Sequence, residues 1–175
     1  MGLIADIRED WLANDRDWTR PGLQALAVHR FGVWRMSIKP RLARLPFSVL
    51  YKALSVAARN VYGVELPYTA RIGRRLRIEH QGVVVVHTRA VIGDDCRLHQ
   101  GVTLGAHERD GVLGIPTLGN QVYVGANASI IGAVHVGDGA RIGAGAVVVS
   151  DVPPGATVVG VPARVRPPAS DQRAL

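Results

Sequence analysis

The sequence predicts a mainly β chain wound as a solenoid, with an α-helical segment before it. Three observations carry this. Aliphatic residues recur every sixth position, they pair across outward-facing residues as in very short strands, and glycine-rich turns rather than helices join those strands. From Leu118 the chain reads in sixes as LGNQVY, VGANAS, IIGAVH, VGDGAR, IGAGAV and VVSDVP. The first positions are Leu118, Val124, Ile130, Val136, Ile142 and Val148. The fifth are Val122, Ala128, Val134, Ala140, Ala146 and Val152, always small or β-branched. Upstream, Val86, Ile92, Leu98 and Leu104 keep the period, with Ala90, Cys96 and Val102 at position five. Ile72 and Ile78 start it, and the frame then slips by two residues through the valine run.

Each fifth position is followed two residues later by the next first position, as in Val122-Tyr123-Val124 or Ala140-Arg141-Ile142. That is strand alternation with the middle residue turned outward. Strands this short, joined by tight turns, bury their aliphatics only if the chain coils on itself, with coils stacked roughly 4.8 Å apart. Cys96 then reads as a small apolar residue facing the core rather than a reactive thiol. Between Leu104 and Leu118 the segment GAHERDGVLGIPT exceeds one repeat and is polar at its start, so it is expected to loop out, at about residues 105–117.

Before Val64 the spacing changes. RPGLQALAVHRFGVWRMSI and PFSVLYKALSVAARNVYGV have helical periodicity, with Pro21 near a helix start and Pro40 and Pro46 punctuating the join. Two or three helices packed on the first coils are expected. The organisation is therefore a helical segment (1–64), a solenoid (65–168) and a short tail (169–175).

Composition narrows the function. The chain has 175 residues, a net charge of +7 carried almost wholly by arginine, and 20 glycines. A basic surface attracts nucleic acid, anionic lipid or a phosphorylated cofactor. No basic run interleaved with aromatics appears, which argues against nucleic acid. The single cysteine excludes an internal disulfide framework and suits a reducing cytoplasm. The opening MGLIADIRED is acidic and has no secretory-signal pattern. LPFSVLYKALSVAA is too short to span a bilayer. It could lie on a membrane surface with Arg41, Arg44, Lys52 and Arg59 on a polar side, but packing as an amphipathic helix on its own protein is the favoured expectation.

Taken alone, His80 in RIEHQGVVVV is a turn histidine two residues after the inward Ile78, and an ordinary surface histidine is the simplest reading. The hexapeptide period, GVTLG at 101–105 and the closing GVPARV at 160–165 resemble the hexapeptide-repeat acyltransferases, and among them the serine O-acetyltransferase family. ARIGRRLRIEHQG and VIGDDCRLHQGVTLG are similar to that family's catalytic segments, and PGLQALAVHRFGVW to its helix before the solenoid. The similarity runs from about Pro21 to Arg166. It implies a left-handed parallel β-helix with three hexapeptides per coil. The general right-handed crossover preference would give the other hand, so the hand rests on the resemblance.

The resemblance implies an acetyl-CoA-dependent O-acetyltransferase needing no metal, with His80 as general base. Glu65 matches the family's partner aspartate, and Glu79 the acid that contacts substrate; each is otherwise readable as a solvated carboxylate. Ala106, Gly125, Ala126, Gly143 and Ala144 match a track for coenzyme A. Arg141 matches a cofactor-contacting lysine, and Pro162 and Arg164 the cofactor-proximal end. Gly and Ala would also simply satisfy the corners of the coil. The implied assembly is a homotrimer with sites between subunits, and the tail PPASDQRAL resembles one that docks on a partner enzyme.

The match departs at the loop. The family's Arg-His pair, which binds the amino-acid substrate, is replaced by Gly114 and Ile115, with His107 and Arg109 earlier in the loop as candidate substitutes. This keeps a sugar or polysaccharide hydroxyl open as the alternative acceptor to L-serine. A zinc-dependent hydratase on a similar solenoid would need two histidines five positions apart. His80, His87, His99, His107 and His135 include no such pair. A non-catalytic scaffold is the third reading, and it places no demand on His80.

Overall fold

The computed structural model describes residues 2–80 and 82–166. Three helices come first: α1 (Leu3–Ala13), α2 (Pro21–Trp34) and α3 (Arg41–Ala57), the last continued by a π-helical turn at Ala58–Tyr62. Pro21 occupies the first turn of α2, where its missing N–H costs nothing. The solenoid that follows has three parallel faces. The first holds β1 (Val64–Glu65), β4 (Val84–Val86), β7 (Thr103–Gly105), β12 (Ser129–Ile131) and β15 (Val147–Val148). The second holds β2 (Arg71–Ile72), β5 (Val91–Ile92), β10 (Thr117–Leu118) and β13 (His135–Val136). The third holds β3 (Arg77–Glu79), β6 (Arg97–His99), β11 (Tyr123–Val124), β14 (Arg141–Ile142) and β16 (Thr157–Val159), and an antiparallel β17 (Arg164–Val165) closes its far edge. An antiparallel hairpin, β8 (His107–Arg109) and β9 (Val112–Gly114), leaves the coil between β7 and β10.

The six-residue period becomes three columns of aliphatics, one per face. Ile78, Leu98, Val124, Ile142 and Val158 pair in register down the third face. Ile72, Ile92, Leu118 and Val136 do so on the second, and Val86, Leu104, Ile130 and Val148 on the first. These residues and the fifth-position set, Cys96 included, form one buried cluster. Burying each Val, Leu or Ile stabilises by about 1.5–3 kcal/mol, so the lattice itself holds the fold. Burial pushes the Cys96 thiol up to about 11, which leaves it protonated and inert, as the packing reading expects.

The helices close the first coil. Gly22 of α2 lies so near Ile78 that a Cβ there would sit 2.6 Å from the isoleucine Cβ, so a larger residue would force the helix off the coil. Asp10 of α1 and Arg30 of α2 form a buried ion pair (Nε–Oδ2 2.8 Å). Arg30 also donates to the Ile72 and Gly73 carbonyls, and Asp10 accepts from the Arg75 N–H. Asn14 donates to the Leu76 carbonyl.

His29 is buried on α2, its Nδ1 3.2 Å from the Pro67 carbonyl. Burial, with the Arg30 charge adding to it, lowers its pKa to about 4. The unfolded chain, titrating near 6.5, therefore binds the proton first as pH falls. Stability is complete above about pH 6.5 and falls as pH drops toward 4, by about 3 kcal/mol from this group. Urea midpoints measured across that window are expected to show the slope, and His29→Gln to flatten it; equal slopes in both proteins would contradict the assignment.

The helix α3 departs from expectation. The residues facing the body are Arg44, Ser48, Tyr51, Ser55 and Ala58, while Leu42, Leu45, Val49 and Val56 are exposed. Its polar stripe packs inward because α2 and the first coil offer it specific partners. Arg35 donates to the Ser48 hydroxyl, and its guanidinium lies against both the Tyr51 and Tyr68 rings, 4.5 and 4.4 Å from their centroids, the two rings meeting edge to face.

Candidate active site

The frame slip read in the sequence is a widened turn, and His80 sits in it. Coils three and four turn from the third face to the first through Asn127 and Gly145, and coil two through Gly101, all at positive φ. In the first coil the left-handed residue comes one place earlier in register, at His80 (φ 65°), because Glu79 pairs with His99. The motif His-Gln-Gly-Val occurs twice, at 80–83 and 99–102. One extra residue on each side of the first copy accounts for the two-residue slip. Arg75, Asp95, Gln121 and Asn127 hold the same left-handed conformation at other corners, so it belongs to the solenoid's turns and only its shifted register is particular to His80. His80 is exposed, and its ring lies 6.0 Å from that of His99.

Beside it, Glu79 is held rather than free. Its Oε1 takes Arg77 Nε at 3.0 Å and Arg97 Nε at 3.6 Å, and its Oε2 takes Arg20 Nη1 at 3.2 Å. Asp15 bridges Arg20 and Arg77 at 2.7 and 2.8 Å, so acids and arginines alternate around a closed ring. Arg20, Pro21, Ile78, Glu79 and His80 line a pocket of about 240 Å³. Arg20 and Asp15 escaped the sequence reading because they reach the site from the loop between α1 and α2. Burial lowers the His99 pKa, with the neighbouring His80 and Arg97 pushing the same way and Glu79 opposing, so a neutral ring flanks His80. Down the same face His99 meets Tyr123 (5.1 Å), and the Arg141 guanidinium covers Tyr123 at 4.6 Å.

The corner that carries His80 is continued by Gly125 and Ala126 in the third coil and by Gly143 and Ala144 in the fourth, so these five residues share one edge of the solenoid. From the first to the fourth coil that edge runs roughly 14 Å at the strand spacing. Pro162 lies in the turn over its far end, where the Ala163 N–H bonds the Val147 carbonyl, and Arg164 follows on β17. Gly125 is also required by stacking, because its Cβ would fall 2.7 Å from the Ala144 nitrogen. Ala106 stands apart, at the base of the hairpin on the next corner. Glu65 is exposed on β1, which pairs with the β4 strand that follows the His80 turn. The two residues flank the same end of the coil, and among the described residues no hydrogen bond or ion pair joins them within one chain.

The loop is a β-hairpin whose turn, Asp110-Gly111, has positive φ at both residues. An Asp-Gly pair is a hairpin signal, and the sequence reading missed it. Gly114 packs on the next coil: a Cβ there would lie 2.4 Å from the Ala133 nitrogen, so backbone occupies the space a side chain would need. His107 and Arg109 are exposed and, with Val112, Gly114, Ile131 and Val149, border a hollow of about 890 Å³ on the first face.

A solenoid of hexapeptide coils with a histidine turn at one end defines a hexapeptide-repeat transferase, and residues 116–150 match the family model "Bacterial transferase hexapeptide (six repeats)". The chain belongs to the serine acetyltransferase family. It is 43% identical over 144 residues to the serine acetyltransferase of Helicobacter pylori, covering 82% of this chain and 80% of that one. It is equally identical over 145 residues to that of Synechococcus elongatus, covering 83% of this chain but 57% of the relative's length. Among solved structures, Neisseria gonorrhoeae serine acetyltransferase superposes with a TM-score of 0.72 at 35% identity, over 94% of this chain and 64% of that one. A serine acetyltransferase in complex with CoA superposes at 0.74 and 30% identity, over 94% and 69%.

Proposed function

We propose that the chain transfers an acetyl group from acetyl-CoA to the hydroxyl of L-serine, with His80 as the general base. The observation that carries this reading is the shared edge, which has an exposed imidazole at one end of a run of Gly and Ala corners. Support comes from the serine acetyltransferase relatives and from solved family structures that hold serine at 35% identity and CoA at 30%. As the acceptor oxygen attacks the thioester carbonyl, the His80 imidazole takes the hydroxyl proton. Collapse of the tetrahedral intermediate breaks the C–S bond, and the imidazolium returns the proton to the leaving thiolate. The products are the acetyl ester and free CoA. Glu65 takes the role of the acid that orients the base, a contact left to the assembled protein because none is made within one chain among the described residues. Glu79, clamped by its arginines, presents a fixed carboxylate edge to the acceptor. Arg141 and Arg164 meet cofactor phosphates, while Ala106, Gly125, Ala126, Gly143, Ala144 and Pro162 let the cofactor approach the backbone.

The assembly we propose is a homotrimer with sites at the subunit seams, in a reducing cytoplasm. The tail at 169–175, read as a docking segment for a partner enzyme, lies outside the described residues.

Gly114 and Ile115 stand where the family's Arg-His pair would bind an amino acid, which keeps a second acceptor open, a sugar or polysaccharide hydroxyl. CoA release from acetyl-CoA, measured with L-serine and with a sugar panel, separates them. Serine-dependent release is the expected result. Release only with a sugar moves the reading to the alternative, and release with neither removes both.

A further inference from the structure

Among the described residues, the outward side of α3 has no partner. At 100° per residue, Leu42, Leu45, Val49 and Val56 fall within about 60° of one another, opposite the stripe that packs on the body. Leu42 is 78% exposed and Val49 66%. Leu50 and Leu54 widen the patch, and Met36, from the turn before the helix, is also exposed. An exposed apolar surface of this kind marks a contact site. Arg41 and Lys52, within about 20° of each other, run along one flank, and Arg59 continues their row.

Charge identifies the occupant. Residues 18–64 hold eight of the chain's 21 Lys and Arg and none of its 14 acids. Arg20 and Arg30 pair with acids outside the segment and Arg35 is buried, which leaves Lys39, Arg41, Arg44, Lys52 and Arg59 as the segment's remaining cations. A second copy meeting this face with its own would bring like-charged rows together with no acid in the segment to pair them. An anionic surface with an apolar interior matches both the cations and the leucines. No helix among the described residues is long and apolar enough to cross a membrane. A helix of 17 residues with a basic flank and an apolar outer face instead lies in the interface plane.

We propose that α3 docks the protein on a bilayer surface that carries anionic phospholipid. In this arrangement Leu42, Leu45, Val49 and Val56 enter the headgroup–acyl boundary, and Arg41, Lys52 and Arg59 meet lipid phosphates. Acetyl transfer would then take place at a membrane surface.

Flotation of the full chain tests this, with phosphatidylcholine vesicles and with vesicles in which roughly a third of the lipid is phosphatidylglycerol. The protein is expected to float with the anionic vesicles at low salt, to be released by high salt and to remain behind with phosphatidylcholine alone. Leu45→Glu/Val49→Glu/Val56→Glu, at exposed positions, is expected to keep the thermal transition and lose flotation. Arg41→Gln/Lys52→Gln/Arg59→Gln is expected to lower partitioning about fivefold per cation removed. Failure of the native chain to float at low salt would overturn the proposal, as would flotation of the triple-Glu variant. A triple-Glu variant that sediments as a smaller assembly than the native chain would assign the face to a second copy and overturn it as well.

Discussion

A His80→Ala variant is expected to fold as the native protein does and to release CoA from acetyl-CoA and acceptor about a hundredfold more slowly or worse. The rate term follows from losing a general base, whose usual contribution is on the order of 10²–10⁴-fold. The folding term follows from its placement. His80 is exposed in a turn, and the three aliphatic columns that hold the solenoid do not include it. One complication is the backbone: at φ 65° histidine and asparagine are better tolerated than alanine, although all three carry the Cβ that makes this conformation costly. His80→Asn separates the two effects, because asparagine tolerates this conformation and cannot act as the base. Both variants are expected to show the same loss of turnover, with His80→Asn the nearer of the two to native stability. Native turnover in either folded variant, measured with a thiol reagent beside a thermal melt, would reject the mechanism.

Asp10→Ala is expected to destabilise the protein by about 3–5 kcal/mol, the cost of leaving a buried charge without its partner. The Asp10 side chain is 2% exposed and that of Arg30 10%. Removing the carboxylate leaves the guanidinium with the Ile72 and Gly73 carbonyls but no counter-charge, and also frees the Arg75 N–H. Asp10→Asn, which keeps a hydrogen-bond acceptor, is expected to cost less. Replacing Asp10 and Arg30 together with apolar residues should recover much of the loss, since an intact buried pair is often little better than an apolar substitute. Urea denaturation of the four proteins measures this. The effect should also reach the site, because α2, which Arg30 ties to the first coil, begins at the pocket wall made by Arg20 and Pro21. A change below 1 kcal/mol in Asp10→Ala would show that the pair does not dock the helices.

The solenoid was legible because its rule is local. A six-residue period with inward first and fifth positions is written into every coil, and the columns through Leu98 and Val124 follow from it. The frame slip at the valine run was legible too, but not its meaning as a turn widened around His80. That needed the register between Glu79 and His99. The repeated His-Gln-Gly-Val would have pointed there. What stayed hidden was long-range or opposed to a local pattern. Arg77 finds Asp15 from 62 residues away, which no periodicity encodes. The apolar stripe of α3 argued for packing inward, yet Ser48 and Tyr51 took that side because Arg35 bonds the Ser48 hydroxyl and covers the Tyr51 ring.

The most direct test is a crystal structure of the assembled protein with CoA bound. The cofactor's thiol is expected beside the His80 ring and its arm along the Gly125 and Gly143 corners, with phosphate toward Arg141 or Arg164. CoA seated elsewhere, with its sulfur out of reach of every His80 ring in the assembly, would contradict the proposed mechanism.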